Sequence, residues 1–193
     1  MLTLHRPLRG VRLTSGEDAP TEAGYAVVVG GGRIAALGPY EELLRSYVTG
    51  VPAARAARVR EWDGVLTPGR CEPDAAALLE GAYWPDPREA EELGTEPLRG
   101  DALAALSMGD TRWGASARRG VQRLLARGTT ALTGTLTRPA VRAAVVRSGV
   151  RYTERGAPRR ALVPSGAADF AVFAEDGTCV ATVLGGRLVH RRA

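Results

Sequence analysis

The amino-acid sequence predicts a mixed α/β protein in which two strand-rich terminal segments flank a short βαβα stretch. Three observations predict it. Residues 25–37 read YAVVV-GGG-RIAAL, two apolar runs joined by glycines that tolerate positive φ, which signals a hairpin. Residues 161–190 carry two more turn signals between apolar runs, Glu175-Asp176-Gly177 and Gly185-Gly186. Residues 115–153 alternate helix, strand, helix and strand, the arithmetic of neighbouring parallel strands joined by a right-handed crossover.

In chain order, residues 2–5 and 11–13 read as strands and 25–37 as the hairpin. Gly38-Pro39 opens a short helix over 40–47 that sets Leu43, Leu44 and Tyr47 on one face. After the VPAARAA linker, residues 58–62 and 65–66 return to strand character. Residues 72–110 shift to acidic residues, proline and glycine, with GAYWPDPREAEELGTEPLRGD at their centre, which predicts turns and short helices. Glu89, Glu91, Glu92 and Glu96 match no calcium-loop spacing and read as a solvated helix face.

Residues 115–127 predict an amphipathic helix with Ala117, Val121, Leu124 and Leu125 inward and Arg118, Arg119, Gln122 and Arg123 towards water, capped by Gly128. A β-branched run occupies 129–133. Thr137 and Pro139 start a helix that buries Val141, Ala144 and Val145 and stops at Gly149, before an extended stretch over 150–153. Strands over 161–163, 169–173, 178–184 and 187–190 complete an antiparallel meander. The two β portions bury their apolar faces by packing on each other, so residues 1–66 with 158–193 are expected to form an antiparallel β-sandwich domain. Residues 67–157 are expected to form a reduced α/β remnant.

Composition narrows the function classes. At 193 residues and 45% hydrophobic, the chain can build a real core. The N-terminal MLTLHRPLRGVRL has no continuous apolar region and no run approaches about 18 apolar residues, so a cytoplasmic protein without a membrane span is expected. Cys71 and Cys179 are too few for a disulfide framework and are expected to be reduced. The net charge of +5 comes from arginine alone, since the chain has no lysine. Those arginines are scattered, without aromatic platforms or a recognition helix, so nucleic acid is not the expected partner.

The stretch VLTPGRCEPDAAALL, residues 65–79, gathers the most chemistry: a guanidinium, a thiol and two carboxylates in five residues. Cys71, Glu72 and Asp74 are the candidate catalytic group, as a thiolate or carboxylate pair at the end of a strand. The same residues also read as first-turn acids favoured by the dipole of a helix beginning near Pro73, with Cys71 as a small filler. Tyr83, Trp84 and Trp113 are the candidate ligand-binding aromatics, or else anchors of an irregular segment. Thr129, Thr130 and Thr133 could offer hydroxyls, though β-branching explains them. His5 reads as a strand histidine and His190, with Arg191 and Arg192, as an exposed basic tail.

Four pieces of the sequence, taken in order, resemble the amidohydrolase superfamily. YAVVVGGGRIAALGP is similar to the N-terminal hairpin of its composite domain, and VLTPG to the strand that enters the catalytic barrel. RRGVQRLLARGTTALT resembles the first barrel helix and second strand, and ALVPSGAADFAVFAEDGTCVATVLGGRLVHRR the closing β-strands, with imidazolonepropionase-like members nearest in style. The resemblance implies a composite β-sandwich around a metal-dependent (β/α)₈ barrel that hydrolyses C–N bonds of cyclic amides, ureides or aminated heterocycles.

It also implies a His-x-His pair directly after Pro-Gly, where this chain has Arg70, Cys71 and Glu72. A hydrolytic zinc needs about three protein ligands, and the chain has two histidines, His5 and His190. The stretch between Pro68 and Val163 is far shorter than the roughly 250 residues of a full barrel. The expectation is therefore an amidohydrolase-like protein with a truncated barrel, no metal and no cofactor, which binds a small molecule or a protein without catalysis. The alternative is a divergent hydrolase or lyase acting on C–N bonds of a cyclic amide or aminated heterocycle through Cys71, Glu72 or Asp74. A homodimer or a protein partner is expected, because Val121, Leu124 and Leu125 lack a complete barrel to pack on.

Overall fold

A computed structural model describes residues 1–16, 18–156 and 160–192; the expected domain boundary at 157/158 lies outside the described residues. The N-terminal elements are β1 (Leu2–Pro7), β2 (Val11–Arg12), β3 (Thr21–Glu22), β4 (Tyr25–Gly30), β5 (Arg33–Pro39), α1 (Tyr40–Leu44), β6 (Arg58–Trp62) and β7 (Val65–Pro68). The middle contributes β8 (Arg70–Glu72), α2 (Ala75–Leu79), α3 (Ala90–Leu93), α4 (Gly100–Ala104), α5 (Asp110–Leu125), β9 (Thr129–Thr133), α6 (Pro139–Ser148) and β10 (Arg151–Thr153). The chain closes with β11 (Phe170–Phe173), β12 (Cys179–Leu184) and β13 (Arg187–Arg191). The fold class is mixed α/β, and the chain divides into two compact units.

The first unit comprises Met1–Arg70, Ala126–Thr130 and Pro158–Ala193. It holds a four-stranded sheet of order β5-β4-β1-β6 and a six-stranded sheet of order β13-β12-β11-β7-β2-β3. The N-terminal strands do more than pack on the C-terminal meander: they extend it. β7 pairs antiparallel with β11, setting Leu66 opposite Val172 and Pro68 opposite Phe170. Parallel pairings of β1 with β6 and β2 with β7 are interleaved among the antiparallel ones.

Val27, Val29 and Ile34 meet Leu66, Phe170, Val172 and Val183 in one apolar cluster. The alternate residues of β4, Ala26 and Val28, pack with Leu4, Leu43 and Ala57 in a second cluster. β4 is thus buried on both faces, which explains an unbroken AVVV run where a half-exposed strand would alternate. At the hairpin between β4 and β5, only Gly31 of the three glycines takes positive φ, at 59°. Gly185 and Gly186 both do, at 54° and 74°, as a two-residue turn between β12 and β13 favours. The helix expected over 40–47 is α-helical only to Leu44. It then widens into a π turn over Arg45–Thr49, closed by the Gly50 N–H on the Arg45 carbonyl at 2.7 Å.

Two polar ties inside this unit were not foreseen. The Asp169 carboxylate accepts the Gly185 N–H at 2.7 Å, tying the start of β11 to the β12–β13 turn. Ser165 and Gly166 exchange backbone hydrogen bonds with Ile34, and the Ala168 N–H donates to the Gly32 carbonyl, so residues 165–168 line the β5 end.

The second unit comprises Cys71–Leu125 and Ala131–Ala157. Its strands belong to a three-stranded sheet of order β10-β9-β8, with β9 and β10 parallel and joined by α6. α5 begins at Asp110, five residues earlier than predicted, because Trp113 extends the buried stripe of Ala117, Val121 and Leu124 back by one turn. Val121, Leu124 and Leu125 are buried within the chain, so they do not form the apolar surface that motivated an expected partner. α6 has Pro139 in its first turn and ends at Gly149 in the left-handed conformation. Its N-terminus is capped from a distance: the Glu80 carboxylate accepts the backbone N–H groups of Thr137 and Arg138 at 3.1 and 2.7 Å and the Thr137 hydroxyl at 2.8 Å. Among the described residues, no helix is long and apolar enough to cross a membrane.

His5 lies inside the first unit at 2% exposure. Its Nδ1 accepts the Trp62 indole N–H at 3.1 Å, and its ring meets Phe170 edge-on with centroids 5.0 Å apart. Burial, aided by the positive charge of Arg60, lowers its pKa to about 3 from an ordinary value near 6.5. Between those two values the unfolded chain holds a proton that the folded chain refuses, so stability falls as pH drops from about 6.5 towards 3. His5→Gln keeps an acceptor for Trp62 but does not titrate. From pH 7 to pH 4, wild type should lose up to about 3 kcal/mol more unfolding free energy in urea than the variant. Parallel pH profiles for the two proteins would contradict this.

Candidate functional site

The turn after β7 was the first candidate. Arg70, which opens β8, lies with its guanidinium 4.3 Å above the Phe173 ring and donates to the Arg127 carbonyl at 3.3 Å. Cys71 and Glu72 are half-buried on β8. Asp74 is the N-cap of α2, its carboxylate accepting the Ala77 N–H at 2.9 Å, and the helix starts at Ala75 rather than near Pro73. The Pro73 carbonyl accepts the Thr133 hydroxyl at 3.0 Å. Asp74 and Thr133 thus each tie down backbone of this turn with a side-chain hydrogen bond.

Among the described residues, no group of three or more His, Cys, Asp and Glu side chains could hold a metal ion. One of the two imidazoles, His5, is packed among rings with its Nδ1 engaged. The donor set therefore does not fit the hydrolytic metal that the resemblance implies. Neither cysteine forms a disulfide. Burial pushes the Cys179 thiol up from its ordinary range, and its sulfur lies 3.4 Å from the Thr182 hydroxyl, so Cys179 stays a thiol near neutral pH. His190 is not in an exposed tail. It is half-buried and lines a cavity of about 360 Å³ with Arg70, Arg127, Cys179 and Arg192.

The three candidate aromatics are all buried, and they serve three different ends. The Tyr83 hydroxyl donates to Glu89 at 2.5 Å and accepts from Arg112 Nε at 3.1 Å. Glu89 also accepts the Asp86 N–H at 3.1 Å and pairs with Arg112 Nη2 at 2.9 Å. Burial raises the Tyr83 phenol, while the hydrogen bonds from Tyr83 and the Asp86 amide lower the Glu89 carboxyl. Glu89 is thus part of a polar knot and departs from the solvated run in which the sequence placed it. Glu91, Glu92 and Glu96 remain exposed. Trp113 lies beneath the Arg138 guanidinium at 4.3 Å.

Trp84 lines a groove of about 450 Å³. It is held from four sides. Its backbone N–H donates to Ser116 Oγ and its indole N–H to the Leu78 carbonyl, both at 2.9 Å, and its carbonyl accepts Arg119 Nε at 2.7 Å. Gly120 of α5 abuts the indole so closely that a Cβ there would fall 2.6 Å from Trp84 Nε1. Pro85 and Pro87 continue the groove, and α5 lines it with Arg118, Arg119, Gln122 and Arg123. Sequence reasoning sent those four side chains to bulk water. The available signal was their spacing, two adjacent pairs one helical turn apart with no acid between them.

Residues 26–47 match the family model of the imidazolonepropionase-like composite domain of bacteria. The match bears out the resemblance to the amidohydrolase superfamily carried by the N-terminal hairpin. No curated protein matches the chain. Among solved structures, E. coli guanine deaminase is similar at 18% identity over 82% of this chain and 38% of its own, with a TM-score of 0.48. A triazine hydrolase from Arthrobacter aurescens is similar at 17% identity over 78% of this chain and 34% of its own, with a TM-score of 0.49. A zinc-bound adenosine deaminase from Xanthomonas campestris is similar at 17% identity over 78% and 32%, with a TM-score of 0.47. The chain therefore spans well under half the length of each of these proteins.

Removing the phenolic hydroxyl leaves Glu89 and Arg112 each short of a partner. Tyr83→Phe should destabilise the protein by about 1–3 kcal/mol in urea unfolding. A variant as stable as wild type would show that the knot carries no net stability.

Proposed function

We propose that this amidohydrolase-like chain binds a small molecule, without turning it over, in the groove beside Trp84. The groove itself carries the reading. Its volume falls within the roughly 300–1,000 Å³ usual for ligand pockets, and it joins a fixed aromatic and two prolines to a few convergent polar groups. Because the backbone and side-chain bonds of Trp84 are made within the protein, a ligand would meet a wall that is already ordered and would lose little affinity to rearrangement.

The absence of turnover is supported by the chemistry of the Pro68-Gly69 turn. The positions that the resemblance assigns to a His-x-His pair hold Arg70 and Glu72, and Arg70 is engaged with Phe173 and the Arg127 carbonyl. Of the groove's lining residues only Trp84 belonged to the candidate set, and Cys71, Glu72 and Asp74 do not reach it.

Purified protein incubated with hydantoin or dihydrouracil should show no hydrolysis above the uncatalysed rate, with or without added zinc. Saturation-transfer NMR against small aromatic compounds should yield binders that shift the Trp84 indole N–H signal. Chelator-sensitive hydrolysis, or turnover abolished by Cys71→Ala, would overturn the proposal.

A further inference from the structure

We infer that the ligand of the Trp84 groove is a flat organic acid, its ring against the tryptophan and prolines and its carboxylate among the guanidinium groups of α5. This inference rests on the small-molecule reading above and goes further by assigning the charge and shape of the ligand.

Three arginines line one groove, and among the described residues no carboxylate lines it with them. The acidic run nearby reaches the groove only through Thr95; Glu91, Glu92 and Glu96 do not line it. The arginines are not equivalent. Arg119 is fixed, with Nε on the Trp84 carbonyl and Nη1 on Asp86 at 3.2 Å, so its charge is already balanced. Arg118 and Arg123 are exposed, and the hydrogen bonds and ion pairs found among the described residues include neither.

A guanidinium presents parallel N–H donors that match a carboxylate edge to edge, and it remains charged at any physiological pH. The opposite wall selects the rest of the ligand. Trp84 offers only a buried edge and Pro85 and Pro87 their pyrrolidine rings, an apolar lining that suits a ring and offers nothing to a polyhydroxylated chain. Charge complementarity and wall shape together favour an aromatic or heteroaromatic carboxylate over a neutral ring or a bare inorganic anion.

Matched probes separate this inference from the reading beneath it. Naphthoate and its neutral amide, naphthamide, have the same ring, and inorganic phosphate has the charge without the ring. By calorimetry or NMR titration, naphthoate should bind with a Kd on the order of a millimolar or tighter, about tenfold below that of naphthamide and well below that of phosphate. Arg118→Gln with Arg123→Gln should weaken naphthoate about tenfold and leave naphthamide unchanged. These are exposed positions, and unchanged thermal unfolding will show that the variant folds. Arg147→Gln, an exposed arginine of α6 that does not line the groove, should change neither. Equal affinity for acid and amide overturns the organic-acid assignment and leaves the small-molecule reading standing. An equal loss in Arg147→Gln shows a general effect of net charge and overturns it too. If neither ring compound binds, both readings fall.

Discussion

The antiparallel ladder between β7 and β11 is the interaction on which the first unit depends. It joins residues about a hundred positions apart, and without it the N-terminal strands and the C-terminal meander would each present an open edge. With it, β2, β3 and β7 become the continuation of the C-terminal sheet. Phe170 lies at one end of that ladder, opposite Pro68, and packs edge-on against His5. The same register ends at Pro68, two residues before Arg70, whose guanidinium lies over the Phe173 ring of β11.

The second unit is held together differently. Its segment between β8 and α5 is poor in long apolar runs, and charged groups do much of the fixing. Asp74 caps α2, Glu80 caps α6 from the far end of α2, and Glu89 gathers Tyr83, Arg112 and the Asp86 amide. A charge-assisted hydrogen bond to an otherwise unpaired backbone N–H contributes more than an exposed ion pair, because the alternative is an unsatisfied donor. An acid-rich stretch of short helices can therefore be well ordered without a large core of its own.

Much of the fold was legible in the sequence because apolar periodicity and glycine turns are local signals. The YAVVVGGGRIAAL hairpin, the β12–β13 turn and the buried face of α6 followed from spacing alone. The partners of charged side chains were not legible. Nothing in PREAEEL distinguishes Glu89, bonded to Tyr83 and Arg112, from Glu91 and Glu92, which are exposed, since the difference is made by an arginine more than twenty residues away. The early start of α5 was missed because the loop-like composition before it obscured Trp113 as the first inward position of the stripe. The groove beside Trp84 was hidden for the same reason in reverse. Cys71, Glu72 and Asp74 are adjacent in sequence and look like a constellation, whereas Trp84 and the arginines of α5 are distant in sequence and line one groove.

The chain carries its basic charge on arginine, without lysine. A lysine amine can be tuned by burial into a base or a Schiff-base nucleophile, and a histidine can shuttle protons near neutral pH. Arginine does neither, because its guanidinium keeps its proton at any pH at which the protein folds. Of the two histidines, His5 is held neutral in the core, and Cys179 is held as a thiol. A guanidinium instead presents fixed positive charge in a fork that fits planar anions. Arg118, Arg119 and Arg123 therefore keep the border of the Trp84 groove positive at any pH at which the protein folds.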